Sequence, residues 1–299
     1  MDTADAATER RLSELLALLD LEEIDTDVYR GRNESDRVQR LFGGQVAAQS
    51  LVAAGRTVER GHCHSLHGYF LRPGDPTHPV LYTVDRIRDG KSFTTRLVVA
   101  RQRGHAIFQM SASFHVEEKG YEHQLPMPEA PDPETVPTWQ ELVSTLLDKL
   151  PAEMRPWVGG PRAIDLRHVQ VPSYLGGPAF EGPSLVWFRT ARRLGDDPLL
   201  HQALVTYASD ISLLDNMVRP YGRLGRLGPL MTASLDHALW FHRPLRADEW
   251  LLYVQESPAA AGARGFARGT IFERGGKLVA SVAQEGLMRP GARLEDRSR

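Results

Sequence analysis

Hydrophobic and polar positions alternate along this chain in blocks that change period several times. Leu12, Leu15, Leu16 and Leu19 recur at helical spacing, with Thr8 placed to cap the element. A run of small residues from Val46 to Ala54 predicts a second helix, one able to lie close against another element. Three strand-like stretches follow at residues 79–88, 92–103 and 105–116, separated by Asp89-Gly90 and Arg103-Gly104. Prolines 126, 128, 131, 133 and 137 then mark an extended linker, closed by a short helix predicted over 138–150.

The second half repeats this order. Leu185-Val186-Trp187-Phe188 reads as a strand, and Asp197-Pro198 supplies an N-cap and N1 pair for a helix. Strands are predicted at about 232–243, 249–257, 263–273 and 277–288. Phe70-Leu71-Arg72-Pro73 matches Phe241-His242-Arg243-Pro244 at an offset of 171, as Leu81-Tyr82 matches Leu252-Tyr253. Arg96 matches Arg268 and Gly104 matches Gly276 at 172, whereas Gln45 pairs best with Gln202 at 157. Two copies of a helix followed by an antiparallel meander predict an α+β duplication, each half a sheet wrapped around a central helix. The boundaries that follow are an N-terminal domain over 1–120, a linker over 121–160 and a C-terminal domain over 161–299.

Composition removes several function classes. A net charge of -2 in 299 residues gives no electrostatic reason to expect nucleic acid or a membrane surface as partner. No stretch approaches eighteen consecutive apolar residues, the charged start lacks an apolar signal core, and residues 294–299 form a short charged tail. Cys63 is the only cysteine, which suits a reducing compartment, and the expectation is a cytoplasmic enzyme. Four lysines stand against thirty-two arginines; arginine is the better phosphate ligand, but base composition is the favoured explanation of the bias.

Candidate chemistry concentrates in the second half. Leu200, Ala203, Leu204, Tyr207 and Ile211 form an apolar stripe, and Asp210 falls on or beside it. A buried carboxylate needs a reason, and a general base is one; a helix that simply stops near Ser209 is the other. Ser234 opens a strand facing that helix, and Gln284 lies where an apolar strand turns polar. A buried glutamine suits orienting a water molecule, while a satisfied polar side chain at a strand end is the plainer role for both. His62, Cys63, His64 and His67 crowd one strand, with His62 and His64 on one face and Cys63 and His67 on the other, and no second cluster with zinc spacing accompanies them. No Gly-x-Ser-x-Gly elbow, P-loop or dinucleotide fingerprint is present, so the expected chemistry needs no redox cofactor.

Several ordered segments together resemble the acyl-CoA thioesterase II family: Phe42-Gly43-Gly44-Gln45, His64 to Asp75, Tyr207-Ala208-Ser209-Asp210, Asp236 to Pro244, and Gln284-Glu285-Gly286. The likeness runs from about Leu12 to Arg289. It implies a double-hotdog fold and hydrolysis of acyl-CoA to fatty acid and CoA. By motif the family's catalytic aspartate, serine or threonine, and glutamine fall on Asp210, Ser234 and Gln284, with His64 in a supporting role. It also implies direct attack by a water activated by Asp210, no metal or cofactor, and a homo-oligomer. A hotdog enoyl-CoA hydratase, for which Asp236-His237 is a partial mimic of the usual Asp/His pair, and a non-catalytic acyl-CoA binding protein are the rival readings.

Overall fold

The computed structural model of the protein describes residues 3–34, 40–150, 155–222 and 230–290. The charged tail at 294–299 lies outside them. Six α-helices are described: α1 (Thr3–Leu19), α2 (Gly43–Arg56), α3 (Trp139–Ser144), α4 (Arg155–Gly159), α5 (Pro198–Ser209) and α6 (Asp215–Val218). The first-half strands are β1 (Glu22–Asp25), β2 (Val28–Gly31), β3 (His62–Phe70), β4 (Val80–Asp89), β5 (Phe93–Gln102) and β6 (His105–His115). The second half contributes β7 (Ile164–His168), β8 (Ser184–Thr190), β9 (Leu230–Ser234), β10 (Asp236–Phe241), β11 (Leu251–Ala261), β12 (Arg264–Glu273) and β13 (Leu278–Pro290).

All of these strands belong to one antiparallel sheet, ordered β1-β2-β4-β5-β6-β3-β10-β13-β12-β11-β8-β7, with β9 added on β13. The order of the second half is the first half reversed, and the two meet where β3 pairs with β10, Asp236 opposite Tyr69 and Trp240 opposite Ser65. Each half keeps one long helix against its sheet. Helix α2 is buried from Gly44 to Ala54, and Ala47, Ala48, Ala53 and Ala54 are wholly inaccessible. Such a helix leaves no face open to water along these residues, so the fold must enclose it. The same small side chains let α2 pack against α5 in antiparallel fashion. A Cβ on Gly55 would stand 2.5 Å from Leu199 at one end, and a Cβ on Gly44 2.6 Å from the Tyr207 carbonyl at the other.

Most predicted elements appear within a few residues of their expected bounds, and the differences have local causes. Helix α1 starts at Thr3, so Thr8 is interior to it and not its cap. Asp197 does cap α5, accepting from the Leu199 N–H at 3.0 Å, with Pro198 behind it. Thr138 and Glu141 form a capping box for α3, but that helix ends at Ser144 and leaves one 3-10 turn at Leu147–Lys149. There the hydroxyls of Ser144 and Thr145 donate to the carbonyls of Glu141 and Leu142, competing with the helical ladder. The hairpin β1–β2 was not predicted, because Glu22–Asp25 is exposed throughout and carries no alternation. The alternating β7 was also missed, in a stretch rich in glycine and proline.

One matched pair diverges in facing, and one expectation about facing changes. Arg96 and Arg268, matched by the repeat, point to opposite sides: Arg96 is buried and bound to Thr57 and Asp89, whereas Arg268 pairs with Glu256 on the surface. The inward partner of Gln284 on β12 is Ala267, and the inward partner of Ala112 on β5 is Arg96. In β3 the register shifts between Cys63 and Ser65. Cys63 and Leu66 therefore both face the core, and His67 turns outward against Trp240 instead of sharing a face with Cys63.

Candidate active site

Helix α5 ends at Ser209, and Asp210 is its C-cap. Both readings of that aspartate therefore apply at once: it terminates the helix and it is buried, with 7 % of its surface exposed. Gln284 Nε2 donates to Asp210 Oδ1 at 2.7 Å. The backbone N–H of Gly44 and the Ser234 side chain lie close enough to the carboxylate to favour its charged form. Burial pushes the carboxyl above its ordinary range, and Gln284, Gly44 and Ser234 each offset part of that rise.

Gly44 comes from the other half of the chain. It sits in the first turn of α2, whose N-cap, Phe42, makes no side-chain capping bond. First-turn N–H groups have no intrahelical acceptor, and the helix dipole adds positive potential there. Asp210 thus caps α2 from across the molecule. The approach is possible only without side chains: a Cβ on Gly43 would lie 2.8 Å from Asp210 Oδ2 and from the Phe70 ring. The sequence marked Phe42-Gly43-Gly44-Gln45 but assigned the glycines no role, and only the helix packing reveals one.

Ser234 and His237 are three residues apart, a spacing that sets side chains on opposite faces of a regular strand. The predicted single strand is in fact broken at Leu235. Ser234 pairs with Gly286, Ala238 pairs with Ala283, and the Leu235 N–H reaches the Glu285 carbonyl. That irregularity turns both side chains toward Asp210. Gln284 lies within β13, which continues to Pro290, and it is wholly buried.

The structure brings Asp210, Ser234 and Gln284 together. His64 is not brought to them: it hydrogen-bonds Ser113 Oγ at 2.8 Å and packs edge-on against Phe93 and His115. Cys63 is buried, and burial pushes its thiol up, away from the thiolate a nucleophile would need. Among the described residues no group of three or more His, Cys, Asp or Glu side chains is arranged to hold a metal ion, and no helix is long and apolar enough to cross a membrane.

A cavity of about 1390 Å³ opens onto this cluster. Asp210, Ser234 and Gly43 line it, as do Leu15, Leu41 and Ile164, while Arg32, Arg40 and Arg72 add positive charge to its wall. Gln284 and His237 do not line it and lie behind Asp210. Glu14, Glu34 and Asp215 line it too, so the wall carries both signs of charge beside its apolar stretch, which suits a ligand with a hydrocarbon part and a polar, charged part.

Comparison with known proteins agrees with that chemistry. Residues 162–287 match the family model described as acyl-CoA thioesterase, and residues 33–115 match its N-terminal domain. The chain is 39% identical over 298 residues to acyl-coenzyme A thioesterase 8 of Mus musculus, covering 96% of this chain and 92% of that one. It is 34% identical over 279 residues to acyl-CoA thioesterase 2 of Haemophilus influenzae, covering 93% and 98%. Among solved structures, the acyl-CoA thioesterase II TesB2 of Mycobacterium marinum is 44% identical and superposes with a TM-score of 0.76 over 93% of this chain and 99% of that one. A hot dog fold protein of Alicyclobacillus acidocaldarius shares the fold at 18% identity, with a TM-score of 0.75 over 93% and 99%. The chain belongs to the acyl-CoA thioesterase family and has its double-hotdog fold.

Proposed function

We propose that this protein hydrolyses acyl-CoA to fatty acid and CoA with Asp210 as general base. The observation that carries the assignment is the buried Asp210 carboxylate, held by Gln284, Gly44 and Ser234 at the wall of the cavity. A carboxyl raised by burial is a stronger base than one in water, and donors that hold the carboxylate favour its ionised form.

In this reading Ser234 holds a water beside Asp210, and Gln284 keeps the carboxylate aimed at it. Asp210 takes a proton as the water oxygen bonds to the thioester carbonyl carbon. The resulting oxyanion is met by first-turn N–H groups of α2 not engaged by Asp210. The carbon–sulfur bond then breaks, CoA leaves as thiolate, and the proton on Asp210 passes to it or to solvent. CoA thiolate is a good leaving group, so no strong acid is required, and no metal or redox cofactor enters the reaction. The acyl chain lies along the apolar wall, with the arginines facing the CoA phosphates.

The assigned compartment is the cytoplasm, where a lone buried Cys63 stays reduced. A homo-oligomer is part of the same proposal, because Leu81, Ile87 and Phe93 of β4 and β5 remain exposed on the outer face.

The test is thiol release over saturated acyl-CoAs from short to long, comparing wild type with Asp210→Asn. A folded variant about 100-fold or more slower is the expected result. Acyl-CoA binding without release at any chain length would overturn the hydrolase reading in favour of a binding protein. Hydration of a crotonyl thioester in place of hydrolysis would favour the hydratase.

A further inference from the structure

His237 is 1 % exposed and faces the core from β10. The β10–β13 register pairs Ala238 with Ala283, and Asp236 Oδ1 accepts the Glu285 N–H at 2.6 Å. His237 and Gln284 are therefore cross-strand neighbours on the buried face, and their side chains interact. Each nevertheless has one buried atom without a hydrogen bond of normal geometry, Nδ1 of His237 and Oε1 of Gln284. The remaining atoms are engaged: Gln284 Nε2 with Asp210 Oδ1 at 2.7 Å, and His237 Nε2 with Ser209 Oγ at 2.8 Å.

An amide has nearly the same shape either way round, so only hydrogen bonds decide which end meets Asp210. Reversed, Gln284 would present its oxygen to a carboxylate and remove a donor from the base. We propose that His237 is a positioning residue: its Nδ1–H engages the Gln284 side-chain oxygen and so keeps the amide nitrogen turned to Asp210. This rests on the reading of Asp210 as base.

The tautomer turns on where Ser209 sends its one hydrogen. Its hydroxyl stands 2.8 Å from His237 Nε2 and 2.9 Å from the Thr206 carbonyl, and it has one hydrogen. Directed at the ring, that hydrogen leaves the imidazole proton on Nδ1. Ser209, His237, Gln284 and Asp210 then form a series in which each group donates to the next. Directed at Thr206, it would leave Nδ1 and Oε1 facing each other as two bare acceptors. Burial pushes the ring below the ordinary histidine range, so it is neutral near neutral pH and carries a single N–H. The other ionisable groups interacting with Asp210 or His237 are Asp236 and Tyr253, and burial pushes both upward.

The experiment first establishes thioester hydrolysis by wild type and its loss in Asp210→Asn. Failure there removes the base assignment and not the positioning role as such. His237→Leu and His237→Asn are then compared, since an Asn side-chain N–H reaches the place of Nδ1–H and Leu has none. The expected result for His237→Leu is a kcat about 10- to 100-fold lower with KM little changed, and an acid limb of kcat/KM moved to higher pH. His237→Asn is expected to stay within a few-fold of wild type with the limb unmoved. In a Gln284→Ala background, His237→Leu should cost nothing further. Equal losses in both variants with an unmoved limb, or a full additional loss without Gln284, would overturn the proposal. Should His237→Leu fail to fold, 15N spectra of histidine-labelled wild type decide it alone: an Nδ1–H tautomer at His237 supports the role, and an Nε2–H tautomer refutes it.

Discussion

A Cβ on Gly44 would stand 2.6 Å from the backbone carbonyl of Tyr207, three residues before the aspartate that caps the facing helix. No atom in that contact is a flexible side-chain end on the Tyr207 side, so α2 and α5 would have to separate. Gly44→Ala is expected to cost about 100-fold in kcat by drawing the Gly44 N–H away from Asp210. Thiol-release kinetics alongside circular dichroism check it. Wild-type turnover in a folded Gly44→Ala protein would show that the close approach is not needed.

Asp210 also has a stability signature. Its folded-state carboxyl is raised, so the folded protein favours the protonated form. Ionising it costs stability, and that cost is absent at low pH and grows as pH rises from the unfolded-state carboxylate range through the raised folded value. Asp210→Asn is therefore expected to melt higher than wild type near neutral pH, with the advantage shrinking as pH is lowered. Melting curves across that range test it, and an equal or lower neutral-pH melting temperature would contradict it.

Gln284 lowers the carboxyl through its 2.7 Å bond. Gln284→Ala removes that donor, so the acid limb of kcat/KM should move to higher pH as well as the rate falling. A slower enzyme with an unmoved limb would place Gln284 outside the electrostatics of the base.

The reaction as written uses no metal. Prolonged incubation with a strong chelator is expected to leave thiol release unchanged. A loss restored by adding back a divalent cation would require a different mechanism.

Arg96 is 1 % exposed and donates to Thr57 Oγ1, the Thr57 carbonyl and Asp89. Thr57 caps α2 as Asp210 caps α5, so an arginine seals the first half where the second half holds its carboxylate. Arg96→Ala strips these partners and is expected to cost about 3 kcal/mol or more of stability. Urea denaturation measures it, and a change below about 1 kcal/mol would mean that water replaces the guanidinium fully.

The chain's own pattern determined the duplication, the three long helices, the strands of both meanders and the cap at Asp197. These features depend on local period and turn chemistry, which a linear text carries. It also directed attention to Asp210, Ser234 and Gln284, since a carboxylate on an apolar stripe and a glutamine in an apolar strand are conspicuous in one dimension. Tertiary structure decided the rest. Edge strand β1 follows the sheet and not its own residues, which are too polar to announce a strand. A one-residue irregularity at Leu235, invisible in composition, turns both Ser234 and His237 toward Asp210. Gly43 and Gly44 matter because the N-terminus of one helix meets the C-terminus of another from the opposite half of the chain. Periodicity reports which face of an element is buried. Which atoms meet across that face depends on register, bulges and helix approach, and these are settled only when the whole sheet closes around its helices.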